Sequence, residues 1–149
     1  SAPQFILGIT FGSGSIIAYS LQSNIFSFSL AVLYLGVIAW IISFDTYYAL
    51  EDKEDDLRIN INSTAVLWGD NAIKYAQILH LGFYASLLLI GIVNQFSYVF
   101  FLNFIILMAL FFYQKELIKS NKFIEGFKIN NLVGVVALIG FAFEIIYLN

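Results

Sequence analysis

Five acids crowd into six positions, Glu51, Asp52, Glu54, Asp55 and Asp56, and a sixth, Asp45, precedes them inside an otherwise apolar run. Carboxylates are hard oxygen donors, and Mg²⁺ is commonly held by one or two of them together with waters and substrate phosphate oxygens. If one helix runs through all these acids, with Asp45 as zero, Tyr48 falls at about −60°, Asp52 at about −20° and Asp56 at about +20°. Glu51 and Glu54 then face the other way and Asp55 stands off to the side, so these three read as a solvated helix end. Asp52 and Asp56 lie about 6 Å apart along such a helix, a spacing that suits two carboxylates sharing hard cations. Bare carboxylates would repel a phosphorylated substrate, so the chemistry expected is Mg²⁺ bound at Asp52 and Asp56 and bridged to a diphosphate. Asp45 sits more than a turn inside the apolar run. An acid at that depth costs a few kcal/mol and by default marks function.

The elements that must position these residues are membrane helices. Of 149 residues, 60% are hydrophobic and 11% charged, and the mean hydropathy is +0.86. A soluble domain carries roughly 25% charged residues, so lipid is the expected solvent. The 16 Phe and 9 Tyr suit a lipid-facing coat with aromatic belts. One proline and no cysteine exclude a disulfide scaffold and a cysteine-ligated metal. A net charge of −3 without a basic cluster gives no sign of nucleic-acid binding.

Crossing the hydrocarbon takes about 20 apolar residues. Five stretches qualify, roughly 3–21, 25–50, 71–93, 96–113 and 129–148, and they predict an all-α, polytopic transmembrane bundle. The first is diluted by Gly8, Gly12, Ser13, Gly14 and Ser15, and its Gly8/Gly12 pair is either a close-approach motif or simply tolerated glycine. All seven basic residues, Lys53, Arg58, Lys74, Lys115, Lys119, Lys122 and Lys128, fall in or beside two connections. Five alternating crossings put both connections on one side, which the positive-inside rule makes cytoplasmic or matrix. The chain begins at Ser1, almost within an apolar run and without a charged leader, and is expected to be the tail of a longer protein.

The remaining polar residues read more plainly. His80 is expected to be packed and Asn103 to make an interhelical hydrogen bond. Glu144 is expected to reach the outer interface and Asp70 to cap the third span. Asn130 and Asn131 open the fifth span at the acidic end, and one of them is expected to face a cavity.

At the acidic segment the sequence resembles a known pattern. Asp45-Thr46-Tyr47-Tyr48-Ala49, Asp52 and Asp56, followed by Ser63-Thr64-Ala65 and Gly69, resemble the second aspartate-rich motif of the UbiA prenyltransferase superfamily, in its branch acting on 4-hydroxybenzoate. The likeness covers nearly the whole chain. Pro3-Gln4, Gly8 and Phe11-Gly12 resemble an earlier stretch of that family, and Tyr113-Gln114, Leu117-Ile118, Asn130-Asn131 and Gly134 resemble its later helices. The resemblance implies the second half of a larger nine-helix bundle. It also implies Mg²⁺-dependent transfer of a polyprenyl group from polyprenyl diphosphate to the aromatic acid 4-hydroxybenzoate, a step toward ubiquinone. By position, Asp52 and Asp56 would hold Mg²⁺, Asp45 and Tyr48 would serve at the reacting centre, and Lys53, Arg58 and Asn131 would contact substrate. The chain departs from the pattern at Asn60 and Asn62, where the family usually has glycine and lysine. Nothing in it matches the family's first aspartate-rich motif. It is therefore expected to supply one half-site, to depend on the missing N-terminal half, and to be inactive alone. Two alternatives stand beside this reading: a cation-binding transporter or channel, and an inactive fragment of a split gene.

Overall fold

Long apolar runs with few breakers become long helices. A computed structural model describes residues 2–21 and 27–147, with the backbone alone at Tyr147. Seven α-helices follow in order: α1 (Pro3–Ser20), α2 (Phe28–Glu51), α3 (Lys53–Arg58), α4 (Thr64–Trp68), α5 (Ala72–Val93), α6 (Tyr98–Lys119) and α7 (Phe123–Tyr147). Among the described residues there is no strand. Five of the helices are long. Four apolar stretches, Phe28–Glu51, Thr64–Val93, Tyr98–Lys119 and Phe123–Ile146, are long and apolar enough to cross a membrane. The first expected span forms an unbroken helix of 18 residues with Pro3 in its first turn, where a missing N–H costs nothing, but its glycines and serines leave it outside those four stretches. The expected connection 22–24, the expected start of the second span at 25 and the end of the fifth at 148 lie outside the described residues.

The termini are set by local chemistry. Ser27 caps α2 by accepting from the Leu30 N–H at 3.1 Å, and Ser97 caps α6 by accepting from the Val99 N–H at 3.2 Å. The fourth and fifth helices meet closer than expected. α6 continues past Tyr113 to Lys119, and α7 starts at Phe123 rather than Ile129. Hydropathy marks where an apolar run stops, whereas Lys115, Glu116 and Lys119 are exposed, good helix formers that carry the helix on. Asn121, at φ +58°, turns the chain, and the Lys122 N–H closes the helix end onto the Leu117 carbonyl at 3.0 Å.

α2 is the hub, packed against α1, α5 and α7, while α6 packs on α7 and α5. The core holds Phe83, Tyr84, Leu87, Leu107, Phe111 and Val133, with Trp40 against it. Gly8 and Gly12 face α2: a Cβ on Gly8 would stand 2.9 Å from the Ile42 side chain, and one on Gly12 3.1 Å from Ile38. The close-approach reading of that pair is thus the one the packing uses.

Contacts between sequence-distant residues orient the bundle. Tyr48 in α2 packs on Phe127 in α7 at 5.5 Å, so the end of α2 and the start of α7 lie at the same end. At the opposite end Asn94 donates to Ser29 Oγ at 2.9 Å and Phe96 packs on Phe141 at 5.8 Å. Both lysine-bearing connections therefore share one end of the bundle.

The tightest crossing predicts a large stability effect. A Cβ on Gly36 would collide with Ser86 Oγ and lie 2.7 Å from Ser86 Cβ. Gly36→Ala is expected to lower the unfolding free energy in micelles by about 1–3 kcal/mol, the usual cost of overpacking. Ser86→Gly in the same chain should recover most of it. A wild-type unfolding midpoint for Gly36→Ala would show that this crossing is looser than drawn.

Candidate functional site

The last turns of α2 sort four neighbouring residues by environment. Thr46 and Tyr47 are buried, at 0% and 1% exposure, Tyr47 packing with Ala76 and Ile118. Asp45 is half-buried and lines a cavity. Tyr48, one turn on, is 44% exposed and stands edge-on to Phe127. It is not among the residues lining the cavity, so the structure puts it beside that space rather than on its wall.

The helix does not run unbroken through the acids. α2 ends at Glu51, Asp52 adopts φ −90° and ψ 7°, and α3 starts at Lys53. Successive acids repel, and aspartate competes with the backbone for hydrogen bonds, so it favours helix ends over helix interiors. The bend is slight enough that the Asp56 N–H still donates to the Asp52 carbonyl at 2.9 Å. Asp52 and Asp56 thus keep their one-turn relation. They are also half-buried, whereas Glu51, Glu54 and Asp55 are exposed.

Arg58 lies on the other flank of α3. It donates to Asp55 at 3.1 Å and approaches Glu54 at 3.9 Å, so it is engaged away from Asp52 and Asp56. Lys53 is half-buried and adjoins Asp52. The two ion pairs among the described residues use only Glu54 and Asp55, which leaves the Asp52 and Asp56 carboxylates without a cationic partner. Two unneutralised carboxylates one turn apart fit a hard divalent ion as a partial donor set. Among the described residues no group of three or more Asp, Glu, His or Cys could hold a metal. Of the three expected carboxylates, Asp52 and Asp56 stand one turn apart at the end of α2 and in α3, and Asp45 lines the cavity.

The α3 terminus accounts for one departure from the family pattern. Asn60 has φ +57°, and the Ile61 N–H returns to the Asp56 carbonyl at 2.9 Å. A left-handed residue closing a helix this way is usually glycine, with asparagine next in preference, so Asn60 does the backbone's work there.

The cavity has a volume of about 370 Å³ and lies between α1, α2 and α7. Leu7 and Phe11 come from α1, Val37, Trp40, Ile41, Phe44 and Asp45 from α2, and Phe127, Asn130 and Asn131 from α7. Its wall is mostly apolar with a polar end. Trp40 Nε1 donates to Asn130 Oδ1 at 2.8 Å, and its ring stacks on Phe83 at 4.7 Å and 7°. Asn130 also donates to the Phe127 carbonyl at 2.9 Å, so its amide is committed to structure and Asn131 is the exposed one. Sequence reasoning passed over Trp40. Its signal was depth: membrane tryptophans favour the interface, and this one lies five residues further into the span than Asp45.

The other singled-out residues are structural. His80 is fully buried, with neither ring nitrogen hydrogen-bonded, among Phe83, Tyr84 and Phe111. Asn103 donates to the Val136 carbonyl at 2.9 Å, bonding α6 to α7. Glu144 lies at the end of the bundle opposite the acids, where it is 3% exposed and accepts from Ser97 N at 3.0 Å and Ser97 Oγ at 2.5 Å. It thus satisfies the Ser97 N–H just ahead of α6, an end where a carboxylate complements the helix dipole. Asp70 does not cap α5. It sits exposed in a 3-10 turn, Gly69–Asn71, and the N-cap is Asn71, whose side chain makes no cap bond.

Residues 1–132 match the UbiA prenyltransferase family. The 4-hydroxybenzoate octaprenyltransferase of Serratia proteamaculans (strain 568) is 36% identical over 143 residues, covering 94% of this chain and 49% of that protein. The 4-hydroxybenzoate octaprenyltransferase of Salmonella paratyphi B is 35% identical over the same shares. The chain spans about half the length of the curated relatives it matches. No solved structure matches it.

Proposed function

Because this chain belongs to the UbiA prenyltransferase family, we propose that it supplies the second aspartate-rich half-site of an enzyme prenylating 4-hydroxybenzoate. The donor is a polyprenyl diphosphate, the step leads toward ubiquinone, and the reaction requires Mg²⁺. The observation that carries this reading is the pair Asp52 and Asp56, one turn apart just beyond the end of α2, half-buried and free of cationic partners. Those two carboxylates would hold the metal. A divalent ion held there would supply positive charge against the diphosphate and so favour its departure.

The other residues bind and orient. Lys53, beside the pair, and Arg58, once released from Asp55, would contact phosphate oxygens. The apolar wall of Leu7, Phe11, Val37 and Ile41 suits a prenyl chain, and Asp45 with Asn131 forms a polar end for the aromatic ring. In the transfer, the bond from the prenyl carbon to diphosphate oxygen breaks with its electron pair leaving on the diphosphate. A ring carbon beside the hydroxyl bonds to the prenyl carbon and then loses its proton to water, which restores the aromatic ring. All seven basic residues lie in or beside the two connections at the acidic end, which favours that end as the cytoplasmic or matrix side of a bacterial or mitochondrial inner membrane.

The test is an assay of the complete enzyme in bilayers with labelled polyprenyl diphosphate and several aromatic acids. Chelation should abolish product and added Mg²⁺ restore it, with 4-hydroxybenzoate the best acceptor. The isolated chain should be inactive, because two carboxylates leave most of the metal's coordination to donors elsewhere. Metal-independent product would overturn the reading. Ion flux through proteoliposomes without diphosphate release would replace it with a cation pathway.

A further inference from the structure

α3 carries Asp56 and follows Asp52 directly, yet it has no buried residue. Packing of its own therefore does not hold it, and the position of both acids must be set where the chain enters and leaves the segment. The entrance is the end of α2. On the exit side the chain runs through the Asn60 turn to the start of α4, and there the structure builds a polar clamp from three helices.

Gln4, in the first turn of α1, is 7% exposed, and its Oε1 accepts from the Thr64 N–H at 3.0 Å. That N–H is in the first turn of α4, where no intrahelical carbonyl is available. An N-cap serine accepts from the second or third N–H of a helix, so the first N–H, that of Thr64, needs another acceptor; the Ser63 hydroxyl itself makes no cap bond and is buried without a partner. The acceptor it finds is a side chain sixty residues away. The Thr64 hydroxyl meets the Thr46 hydroxyl at 2.8 Å, and Thr46 Oγ1 lies 2.6 Å from the Ile42 carbonyl. A hydroxyl has one proton, so Thr46 donates to Ile42 and Thr64 donates to Thr46. Thr46 and Thr64 are both fully buried. Phe5, beside Gln4, packs edge-on against Trp68 at the other end of α4, at 6.0 Å. Thr46 adjoins Asp45, so the clamp also ties the cavity end of α2 to the exit of the acidic segment.

We infer that Gln4 is a positioning residue of the metal half-site: through Thr64 and Thr46 it sets the exit of the acidic segment so that Asp52 and Asp56 face the diphosphate. This rests on the reading of those two acids as metal ligands. Gln4 touches neither metal nor substrate.

The experiment uses the complete enzyme in bilayers. Gln4→Met keeps length and removes the acceptor; Thr46→Val removes the hydroxyl, and Thr46→Ser keeps it. In Gln4→Met the Thr64 amide should lose its hydrogen-exchange protection. The Mg²⁺ concentration giving half-maximal rate should rise about 10- to 100-fold, as for the outer partners of metal ligands, with the KM for 4-hydroxybenzoate unchanged. Thr46→Val should shift the Mg²⁺ requirement the same way and Thr46→Ser should not. Unchanged protection at Thr64, or protection lost with the Mg²⁺ requirement unmoved, overturns the inference. If Gln4→Met does not fold, the Thr46 pair decides the matter alone. A separate arm guards the premise: if Asp52→Asn keeps the wild-type Mg²⁺ dependence, the half-site reading fails rather than the clamp.

Discussion

Replacing Asp52 or Asp56 by asparagine in the complete enzyme is expected to cut prenyl transfer by about 10²- to 10³-fold, the scale seen when one electrostatic stabiliser of developing charge is removed. Each substitution keeps the size of the side chain and deletes one of the two half-buried carboxylates, one turn apart, that pair with no cation. Both side chains are half-exposed, so the unfolding midpoint should stay at the wild-type value while activity falls. Excess Mg²⁺ should recover part of the rate, because weakened metal binding is the defect. Glu54→Gln and Asp55→Asn supply the contrast. Those acids are exposed and pair with Arg58, and surface pairs of this kind contribute only about 0–1 kcal/mol. They should stay within about twofold of wild type, a change of well under 1 kcal/mol. Equal losses for all four acids would mean that net charge, rather than a defined pair, attracts the metal. Full activity in Asp52→Asn would remove the half-site altogether.

The contrast between these acids was legible from spacing alone, because Asp52 and Asp56 are four residues apart and a one-turn relation survives a slight bend. The bend itself was not legible. Angular projection assumes a straight helix and ignores the repulsion among five acids that favours a break at Asp52. The helices were readable as apolar runs, but the true ends of α6 and α7 were not, since Lys115, Glu116 and Lys119 end the apolar run without ending the helix. Gln4, Trp40 and Glu144 share a different obstacle. Each acts through a partner 47 to 90 residues away, Ser97 for Glu144, Thr64 for Gln4 and Asn130 for Trp40. Local periodicity carries no information about such pairs. Asn60 lies between these cases: its departure from the expected glycine was visible in the sequence, and only its φ of +57° shows the change to be conformationally mild.

Asp45 should behave unlike the two acids beyond it. The cavity's polar lining is Asp45, Asn130 and Asn131 with the Trp40 N–H, and Trp40 and Asn130 are already bonded to each other. Asp45 and Asn131 remain for a ligand. A carboxylate accepts a hydrogen bond from a phenol but repels another carboxylate, so 4-hydroxybenzoate is expected to enter with its hydroxyl toward Asp45 and its own carboxylate away. That orientation brings the ring carbon beside the hydroxyl toward the acidic end, where the prenyl carbon must arrive. Hydrogen bonding to the carboxylate also pushes electron density into the ring, which favours its attack. Asp45→Leu is therefore expected to lower kcat/KM for 4-hydroxybenzoate by about 10²-fold, in the range of a lost hydrogen bond to a developing charge. Asp45→Asn, which still accepts a hydrogen bond, should lose less. The Mg²⁺ concentration for half-maximal rate should stay put in both, because about 10 Å of helix separates Asp45 from Asp52. Steady-state kinetics at several fixed Mg²⁺ concentrations separates the two effects. A raised Mg²⁺ requirement in Asp45→Asn would make Asp45 a third metal ligand instead, and the ring would then need another anchor, for which Asn131→Leu is the next substitution to measure.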